Sequence, residues 1–237
     1  MSDSFLRCRM LLGDEAMEKL KKARVAVFGV GGVGGYVAEA LIRSGIGSID
    51  VFDRDTVSST NLNRQIIALK STIGRAKVDV IKERALEINP NIKINTHNTF
   101  YMPDNADDYD LSEYTYIIDA VDTVTAKLEL AVRAERAGVM IISSMGTAGK
   151  MDITKLEVDD IYKTKMCPLA RVMRKELKER GIKSLKVVYS IEEAKSEMMD
   201  YNPETKKSVP GSLMFVPAAA GLIIAGEVVK DIIAMPA

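Results

Sequence analysis

Cysteine and tryptophan are scarce in this sequence. Its 237 residues contain two cysteines, Cys8 and Cys167, and no tryptophan. Two cysteines so far apart in sequence form no Cys-x-x-Cys pair, which excludes a disulfide framework and a structural zinc knuckle built from cysteine pairs. The first twenty residues carry several charges and lack the apolar core of a signal peptide. We therefore expect reduced thiols and a cytoplasmic protein.

Net charge is absent too. Lys and Arg together number 33, and so do Asp and Glu. The sequence thus lacks the overall basic surplus of a protein that coats nucleic acid, and no DNA partner is expected. The balance is uneven along the chain, because residues 163–186 hold nine basic side chains against Glu176 and Glu179. This basic segment, with a local charge of +7, is a candidate contact surface for phosphates.

No apolar run is long enough to span a membrane. The run near the C terminus, residues 213–226, has 14 residues without a charge, whereas a helix needs roughly 20 to cross a bilayer. Pro217 lies inside this run and Glu227 follows it. We expect a buried core helix here and no membrane contact.

The residues that are present alternate between strand and helix patterns. Strands are predicted at residues 24–29, 48–53, 92–96, 115–119, 139–143 and 185–189, and helices at residues 33–45, 74–88, 123–137 and 168–180. Such alternation is typical of parallel sheets covered by helices. The sequence therefore predicts a Rossmann-like α/β fold, with a mixed, mainly parallel sheet and helices on both faces.

A glycine-rich motif follows the first predicted strand. Gly29, Gly31 and Gly34 form a G-x-G-x-x-G pattern, in which Gly32 adds a fourth glycine. Such glycines permit a tight turn and a close approach of backbone to phosphate, and the helix that follows offers N–H donors. Asp53 ends the second predicted strand, where a carboxylate binds ribose hydroxyls. The pattern predicts a nucleotide site, although a turn used only for packing and a site for NAD both stay open.

Residues after Asp53 favour ATP over NAD. Hydride transfer requires no further charged groups, whereas a carboxylate that attacks the α-phosphate of ATP needs cations for the pyrophosphate and a carboxylate for Mg²⁺. Candidates for these tasks are Asp55, Asn61, Arg64, Gln65, Lys77 and Asp122. Asp122 follows the fourth predicted strand, at the sheet edge where such ligands bind. The alternative interpretation is that these are ordinary surface charges.

In these motifs the sequence resembles the ubiquitin-activating-enzyme-like superfamily of ATP-dependent adenylating enzymes. The resemblance implies that Asp53 binds ribose, that Asn61, Arg64 and Lys77 contact the phosphates, and that Asp122 holds Mg²⁺. It also implies a homodimer in which an N-terminal arginine, Arg7 or else the nearby Arg9, reaches the ATP of the partner. The whole nucleotide-binding set is Gly29, Gly31, Gly32, Gly34, Asp53, Asp55, Asn61, Arg64, Gln65 and Lys77, and the catalytic set is Arg64, Lys77, Asp122 and Arg7.

Within this superfamily, activators of sulfur-carrier proteins usually carry two Cys-x-x-Cys pairs, which this sequence lacks. Residues 143–146, 160–164 and 167–174 instead resemble the tRNA threonylcarbamoyladenosine dehydratases. That resemblance implies ATP-driven cyclisation of the modified adenosine through an acyl-adenylate. Adenylation of a sulfur-carrier protein is the alternative, and a non-catalytic nucleotide sensor and an NAD-dependent reductase are further ones. The resemblance leaves open a monovalent cation (Na⁺ or K⁺) and a sulfur-transfer partner of the cysteine desulfurase type.

The resemblance predicts one adenylating-enzyme domain over residues 1–237. Residues 1–150 would form its nucleotide-binding core, and residues 151–237 a basic, substrate-facing segment with a mobile loop at about 191–212 and the C-terminal helix. The candidate tRNA contacts are Lys163, Lys165, Arg171, Arg174, Lys175 and Lys178. Arg171, Arg174, Lys175 and Lys178 recur at helical spacing and would share one face of a helix. A helix whose charged face is only exposed to solvent would have the same pattern. For Cys167 a structural role is expected rather than a covalent one, and His97 is expected to be structural.

Overall fold

A computed structural model describes residues 4–194, 199–202 and 207–236. Its strands are β1 (Arg24–Phe28), β2 (Ser48–Phe52), β3 (Lys93–His97), β4 (Tyr116–Asp119), β5 (Met140–Ser144), β6 (Leu156–Asp160), β7 (Lys186–Ser190), β8 (Met199–Asn202) and β9 (Lys207–Pro210). Its helices are α1 (Leu6–Leu12), α2 (Asp14–Lys22), α3 (Gly34–Arg43), α4 (Lys77–Ile88), α5 (Val124–Ala137), α6 (Pro168–Glu179) and α7 (Phe215–Ala234).

Seven strands form the main sheet in the order β3-β2-β1-β4-β5-β7-β6. All neighbours in it are parallel except β6, which runs antiparallel to β7 at one edge. Along the chain, β2 and β3 are added on one side of β1, and β4 is then added on its other side. The carboxyl ends of β1 and β4 therefore mark the point where the strand order reverses, which is where open α/β sheets bind ligands.

The two faces of the sheet are covered by different helices. Val25 and Val27 of β1 belong to a core that includes residues from α2, α3, α4 and α7. Ala26 and Phe28, which point to the opposite face because side chains alternate along a strand, pack with Leu130 of α5. The helix α6 packs beside α5 on this second face. The Rossmann-like mixed α/β fold with helices on both faces is confirmed.

Most predicted elements are present, and the differences have local causes. The helix predicted from residue 74 begins at Lys77, because Gly74 has a positive φ and Ala76 forms a bridge with Thr56. The strand β6 was not predicted, since Leu156–Asp160 is an acidic edge strand and shows no alternation between buried and exposed positions. Neither α1 nor α2 was predicted from the periodicity.

The last part of the chain contains a hairpin and a long helix. Part of the loop predicted at 191–212 lies outside the described residues, at 195–198 and 203–206, while β8 and β9 pair antiparallel within it. The helix α7 buries Val216, Ile224 and Val228, so the predicted C-terminal core helix is confirmed. Over the described ranges, no helix is long and apolar enough to span a bilayer.

Candidate functional site

The glycine loop joins the end of β1 to the start of α3. Gly29 has φ of +84°, and a Cβ there would lie 2.7 Å from the carbonyl oxygen of Ala120. A Cβ on Gly34 would lie 1.8 Å from the carbonyl oxygen of Gly29, so neither position accepts a side chain. A Cβ on Gly31 or Gly32 would meet only ordinary contacts at 3.5 Å or more. Packing thus explains Gly29 and Gly34, whereas glycine at the other two positions leaves room for a ligand close to the backbone.

Asp53 fixes the glycine loop from the end of β2. Its carboxylate accepts hydrogen bonds from the backbone N–H groups of Val30 and Asp55, both at 2.9 Å. The side chain is buried, and burial raises the pKa of Asp53 above its ordinary value, which the nearby charge of Lys77 opposes. Each carboxylate oxygen keeps a free lone pair beside the loop. Asp53 can therefore accept further hydrogen bonds from a ligand.

Lys77 is the first residue of α4 and lies against the same carboxylates. Its Nζ is 2.7 Å from an oxygen of Asp55 and 3.7 Å from an oxygen of Asp53. Only 5% of Lys77 is exposed, while the Asp55 side chain is about half exposed. The structure thus brings Asp53, Asp55 and Lys77 together at the carboxyl end of β2.

A turn after β2 carries the next group of predicted residues. Asn61 accepts a hydrogen bond from the backbone N–H of Ser58, which closes the turn. The guanidinium of Arg64 is half-buried and donates only locally, to the carbonyl of Thr60 and the side chain of Asn63. Gln65 is buried, and its Oε1 has no hydrogen-bond partner in the structure.

The turn and the glycine loop lie side by side. A Cβ on Gly31 would be 3.7 Å from Nε2 of Gln65, and a Cβ on Gly32 would be 3.7 Å from Cγ of Arg64. A buried polar atom without a partner carries a desolvation penalty unless a ligand or water satisfies it. The glycine loop, Arg64 and Gln65 together form a cradle that suits the phosphates of a nucleotide.

Asp122 lies beyond the end of β4, at the same edge of the sheet. Its side chain is exposed, and Thr123 donates a long hydrogen bond of 3.3 Å to it. Within the described ranges, no three His, Cys, Asp or Glu side chains group closely enough to hold a metal ion. Mg²⁺ commonly uses one or two carboxylates together with substrate phosphates, and it keeps several waters. A single free carboxylate beside a phosphate cradle fits that donor set.

A buried ionic network beneath Asp122 was not predicted. Lys127 of α5 and Asp119 of β4 are both almost fully buried, and Nζ of Lys127 lies 3.1 Å from each oxygen of Asp119. Nζ also donates to the carbonyl of Ser144 at 2.7 Å and to Oγ of Ser143 at 3.3 Å. One signal in the sequence was available, because Lys127 falls among the apolar positions Val124, Leu128 and Ala131 of a helix.

Arg7 is placed away from the glycine loop of its own chain. The helix α1 contacts the C-terminal end of α3, where Cys8 donates to the carbonyl of Arg43 and Phe5 lies beside Gly45. The glycine loop lies at the other end of α3, about 15 Å along a helix of ten residues. Arg7 is exposed, and Arg9 forms an ion pair with Asp14. Within one chain the structure therefore does not bring either arginine to the candidate nucleotide site.

The basic segment is exposed for the most part. Arg171, Lys175 and Lys178 of α6 are exposed, whereas Arg174 is half-buried and donates to the carbonyl and hydroxyl of Thr164. Lys163 and Lys165 are exposed in the segment before α6, and Lys163 lies 3.5 Å from Asp159. Three of the four predicted helix residues are thus exposed to a large anionic partner, although Nζ of Lys175 also lies 4.0 Å from Glu179.

Cys167 and His97 make structural contacts. Cys167 is 4% exposed and belongs to an apolar cluster with Met145, Ala170 and Met173. His97 stacks on Phe52, with ring centroids 4.1 Å apart, and its Nε2 is 3.0 Å from the buried carboxylate of Asp50. The structural role predicted for His97 agrees with these contacts.

Comparison with known proteins identifies the family. The model of the ThiF family matches residues 5–236. A Bacillus subtilis protein named tRNA threonylcarbamoyladenosine dehydratase is 40% identical, over 98% of this chain and 96% of that protein. The crystal structure of the Escherichia coli enzyme of that name, TcdA, in complex with ATP superimposes with a TM-score of 0.88 at 33% identity, and covers 98% of this chain and 94% of that one. An adenylyltransferase and sulfurtransferase of Culex quinquefasciatus, MOCS3, is 38% identical over 49% of this chain and 26% of that protein. The chain belongs to the ThiF family.

Proposed function

We propose that this chain uses ATP to adenylate the carboxylate of N6-threonylcarbamoyladenosine in tRNA and promotes cyclisation of the modified nucleoside. The observation that carries the proposal is the meeting of the glycine loop, Asp53, Lys77 and Arg64 where the strand order reverses. Relatives that match nearly the whole chain bear the name of this dehydratase, and one was crystallised with ATP.

ATP would lie with its phosphates on the glycine loop and its ribose at the end of β2. The open positions at Gly31 and Gly32 allow backbone N–H groups to approach the phosphates. Asp53 would accept from the ribose hydroxyls with the lone pairs left free by Val30 and Asp55. Asn61 and Gln65 would complete the cradle, because Nε2 of Gln65 lies beside Gly31 and can donate to a phosphate, while its unpaired Oε1 can accept from a hydroxyl of the nucleotide.

The reaction would proceed in two displacements. A carboxylate oxygen of the substrate attacks the α-phosphorus of ATP, the bond to the bridging oxygen breaks, and pyrophosphate leaves with the electron pair. The carbamoyl group of the same substrate then attacks the acyl carbon, loses its proton to solvent, and expels AMP, which keeps the former carboxylate oxygen. Water is thus removed formally as one oxygen that stays in AMP and two protons, one lost when the carboxylic acid ionises and one released by the carbamoyl group. No covalent bond to the protein is required.

Arg64 and Lys77 would stabilise the negative charge that spreads onto pyrophosphate in the first displacement. Their cationic groups are fixed by short local contacts, so little reorganisation is needed when charge develops. Asp122 would hold Mg²⁺, which neutralises phosphate charge when bound. Its carboxylate has the exposure and the free oxygen that such a role requires.

The tRNA would lie across the basic face formed by α6 and the segment before it. Arg171, Lys175 and Lys178 offer exposed charges for phosphate contacts, which position a nucleic acid without reading its sequence. Lys163 and Lys165 extend this face toward the start of α6. Arg174 would contribute less, since it already donates to Thr164.

A homodimer would complete the site by supplying Arg7 from the partner. In its own chain Arg7 lies toward the far end of α3 from the glycine loop. The helix α1 buries no side chain and exposes Leu6, Met10 and Leu11 by 51%, 79% and 84%. An exposed apolar stripe next to Arg7 supports a second copy as its partner. A cytoplasmic location stays a prediction from the composition, and a monovalent cation and a sulfur-transfer partner stay predictions from the resemblance.

Release of AMP and pyrophosphate from ATP tests the proposal when three substrates are compared. These are tRNA with N6-threonylcarbamoyladenosine, the same tRNA without the modification, and a sulfur-carrier protein with a free C-terminal carboxylate. We expect release only with the modified tRNA, matched by one cyclised nucleoside per AMP. Release that depends on the carrier protein instead would establish the alternative activity. If none of the three substrates leads to ATP turnover, both the proposed activity and the alternative are refuted.

The sulfur-carrier alternative has less support from the chain itself. The similarity to MOCS3 covers half of this chain. Cys8 and Cys167 are the only cysteines, so the two zinc-binding cysteine pairs are missing. Cys167 is buried, which does not suit a thiol that must attack a protein-bound adenylate.

A further inference from the structure

We infer that the buried pair of Lys127 and Asp119 positions the side chain of Asp122. This inference rests on the metal-binding role proposed for Asp122 above. The pair sets the position of the segment between β4 and α5 and thereby the affinity of the ATP-bound site for Mg²⁺. Lys127 and Asp119 would not touch ATP or the metal themselves.

Fold stability alone does not account for this pair. Lys127 and Asp119 are 1% and 0% exposed. Burying two charges is expensive, and apolar side chains of the same volume are often as stabilising or more so. Lys127 also lies in the first turn of α5, at the end of that helix nearest the site and five residues after Asp122. An ionic pair at this place is better explained by a geometric task than by stability.

The pair also joins two neighbouring strands, β4 and β5. The three N–H donors of Lys127 are shared by both oxygens of Asp119, the carbonyl of Ser144 and Oγ of Ser143. Ser143 in turn donates to Asp119. The last residues of β4 and β5 are therefore joined at the edge of the sheet where the candidate nucleotide site lies.

The pair is also linked by hydrogen bonds to the segment that carries Asp122. One oxygen of Asp119 accepts from the backbone N–H of Val121 at 3.2 Å. Ala120 donates to the carbonyl of Phe28 at 2.8 Å, and its own carbonyl faces Gly29. The segment is thus fixed at two consecutive residues before Asp122, one contact leading to Lys127 and the other to the glycine loop. Outer-shell contacts of this kind orient metal-binding side chains.

Two double variants test the inference. Asp119→Asn with Lys127→Met removes both charges and keeps an acceptor for Val121, whereas Asp119→Leu with Lys127→Met removes the acceptor as well. Single variants are avoided because they would leave one charge buried and unpaired. The matched control is Asp231→Asn, which weakens an ionic cluster with Lys186, the first residue of β7, at the amino-terminal ends of the strands and away from the site.

Two measurements apply to all variants. One is the Mg²⁺ affinity of the ATP complex by calorimetry, compared with ATP binding in the absence of metal. The other is amide hydrogen exchange of residues 120–123. We expect Mg²⁺ affinity to fall by about 10- to 100-fold in the double variants, more in the leucine variant, with ATP binding without metal unchanged and faster exchange in this segment. The control should lose stability without either change.

Unchanged Mg²⁺ affinity and unchanged amide hydrogen exchange in the asparagine double variant would overturn the inference. This result decides the test even if the leucine double variant does not fold. Asp122→Asn separates the inference from the proposed function. If Asp122→Asn loses Mg²⁺ affinity and the double variants do not, only the positioning role is wrong. If Asp122→Asn binds Mg²⁺ as the wild type does, the metal-binding role of Asp122 in the proposed function is wrong as well.

Discussion

Replacing Arg64 by alanine should separate catalysis from folding more sharply than any other change in the site. In the folded chain Arg64 donates to the carbonyl of Thr60 and to Asn63 at 2.8 and 3.0 Å, and both contacts are local and exposed. Exposed interactions of this kind contribute about 1 kcal/mol or less. For a protein of this length, that loss lowers Tm by about 2–4 °C. A guanidinium that meets charge developing on pyrophosphate would instead contribute about 3–4 kcal/mol to the transition state.

The expected result is a fall in turnover of about 10²- to 10³-fold with a nearly unchanged melting curve. Turnover is measured as AMP release with saturating modified tRNA, and stability by thermal unfolding. Arg64→Lys should recover part of the rate, because it restores the charge without the planar fork of donors. Arg136→Ala, at the C-terminal end of α5 and away from the site, is the matched control and should leave turnover intact. Wild-type turnover in Arg64→Ala would refute the adenylation chemistry assigned to this site.

Three further predictions concern stability, tRNA and the thiol. Burial alone would raise the pKa of Asp50, but hydrogen bonds from His97, Arg24 and Asn95 hold it below the ordinary value; a carboxyl with a lowered pKa stabilises the fold above its unfolded pKa near 4. The stability of the wild type to urea should therefore fall as pH drops below about 4. Asp50→Asn should cost about 3 kcal/mol of stability at pH 7 and show less of this decline. Parallel curves of stability against pH for the wild type and Asp50→Asn would contradict the lowered pKa of Asp50. Changing Arg171, Lys175 and Lys178 together to glutamate should weaken tRNA binding by on the order of 10²-fold at physiological salt and leave ATP affinity intact, as filter binding would show. Cys167→Ser should cyclise the modified tRNA at nearly the wild-type rate, and an inactive but folded variant would indicate a covalent step.

The tRNA prediction has a control of equal charge change. Lys82, Lys93 and Arg136 are exposed basic residues outside the basic segment. Their joint replacement by glutamate changes net charge by the same amount, so it reports any effect of overall repulsion. Equal weakening in both variants would show that α6 has no special part in binding tRNA.

The sequence predicted the parts of the fold that depend on local pattern. The strand at Arg24–Phe28, the glycine turn and the helix that follows were predicted because each has its own periodicity or backbone requirement. Asp53 was predicted to be a site residue from its place at a strand end. In the structure its carboxylate accepts a hydrogen bond from the backbone N–H of Val30 in the glycine loop. The strand, the turn and the helix depend on residues that are close in sequence, whereas the contact of Asp53 with Val30 spans 23 residues.

Other features depend on contacts between residues far apart in sequence. The place of Lys127 among apolar positions of a helix indicates burial, but its pairing with Asp119 could not be predicted because that contact depends on how α5 packs against β4. The acidic strand β6 pairs only because β7 offers it an edge. The position of Arg7 at the far end of α3 follows from the packing of α1, whose sequence has no strong helical pattern of its own.

The most direct test of the central claim follows one oxygen atom through the reaction. If the threonyl carboxylate of the modified tRNA carries a heavy-oxygen label, adenylation requires that one labelled oxygen leaves with AMP when the ring closes. We expect one labelled oxygen in AMP for each cyclised nucleoside, and unlabelled pyrophosphate. Label in pyrophosphate or in water, with unlabelled AMP, would contradict it.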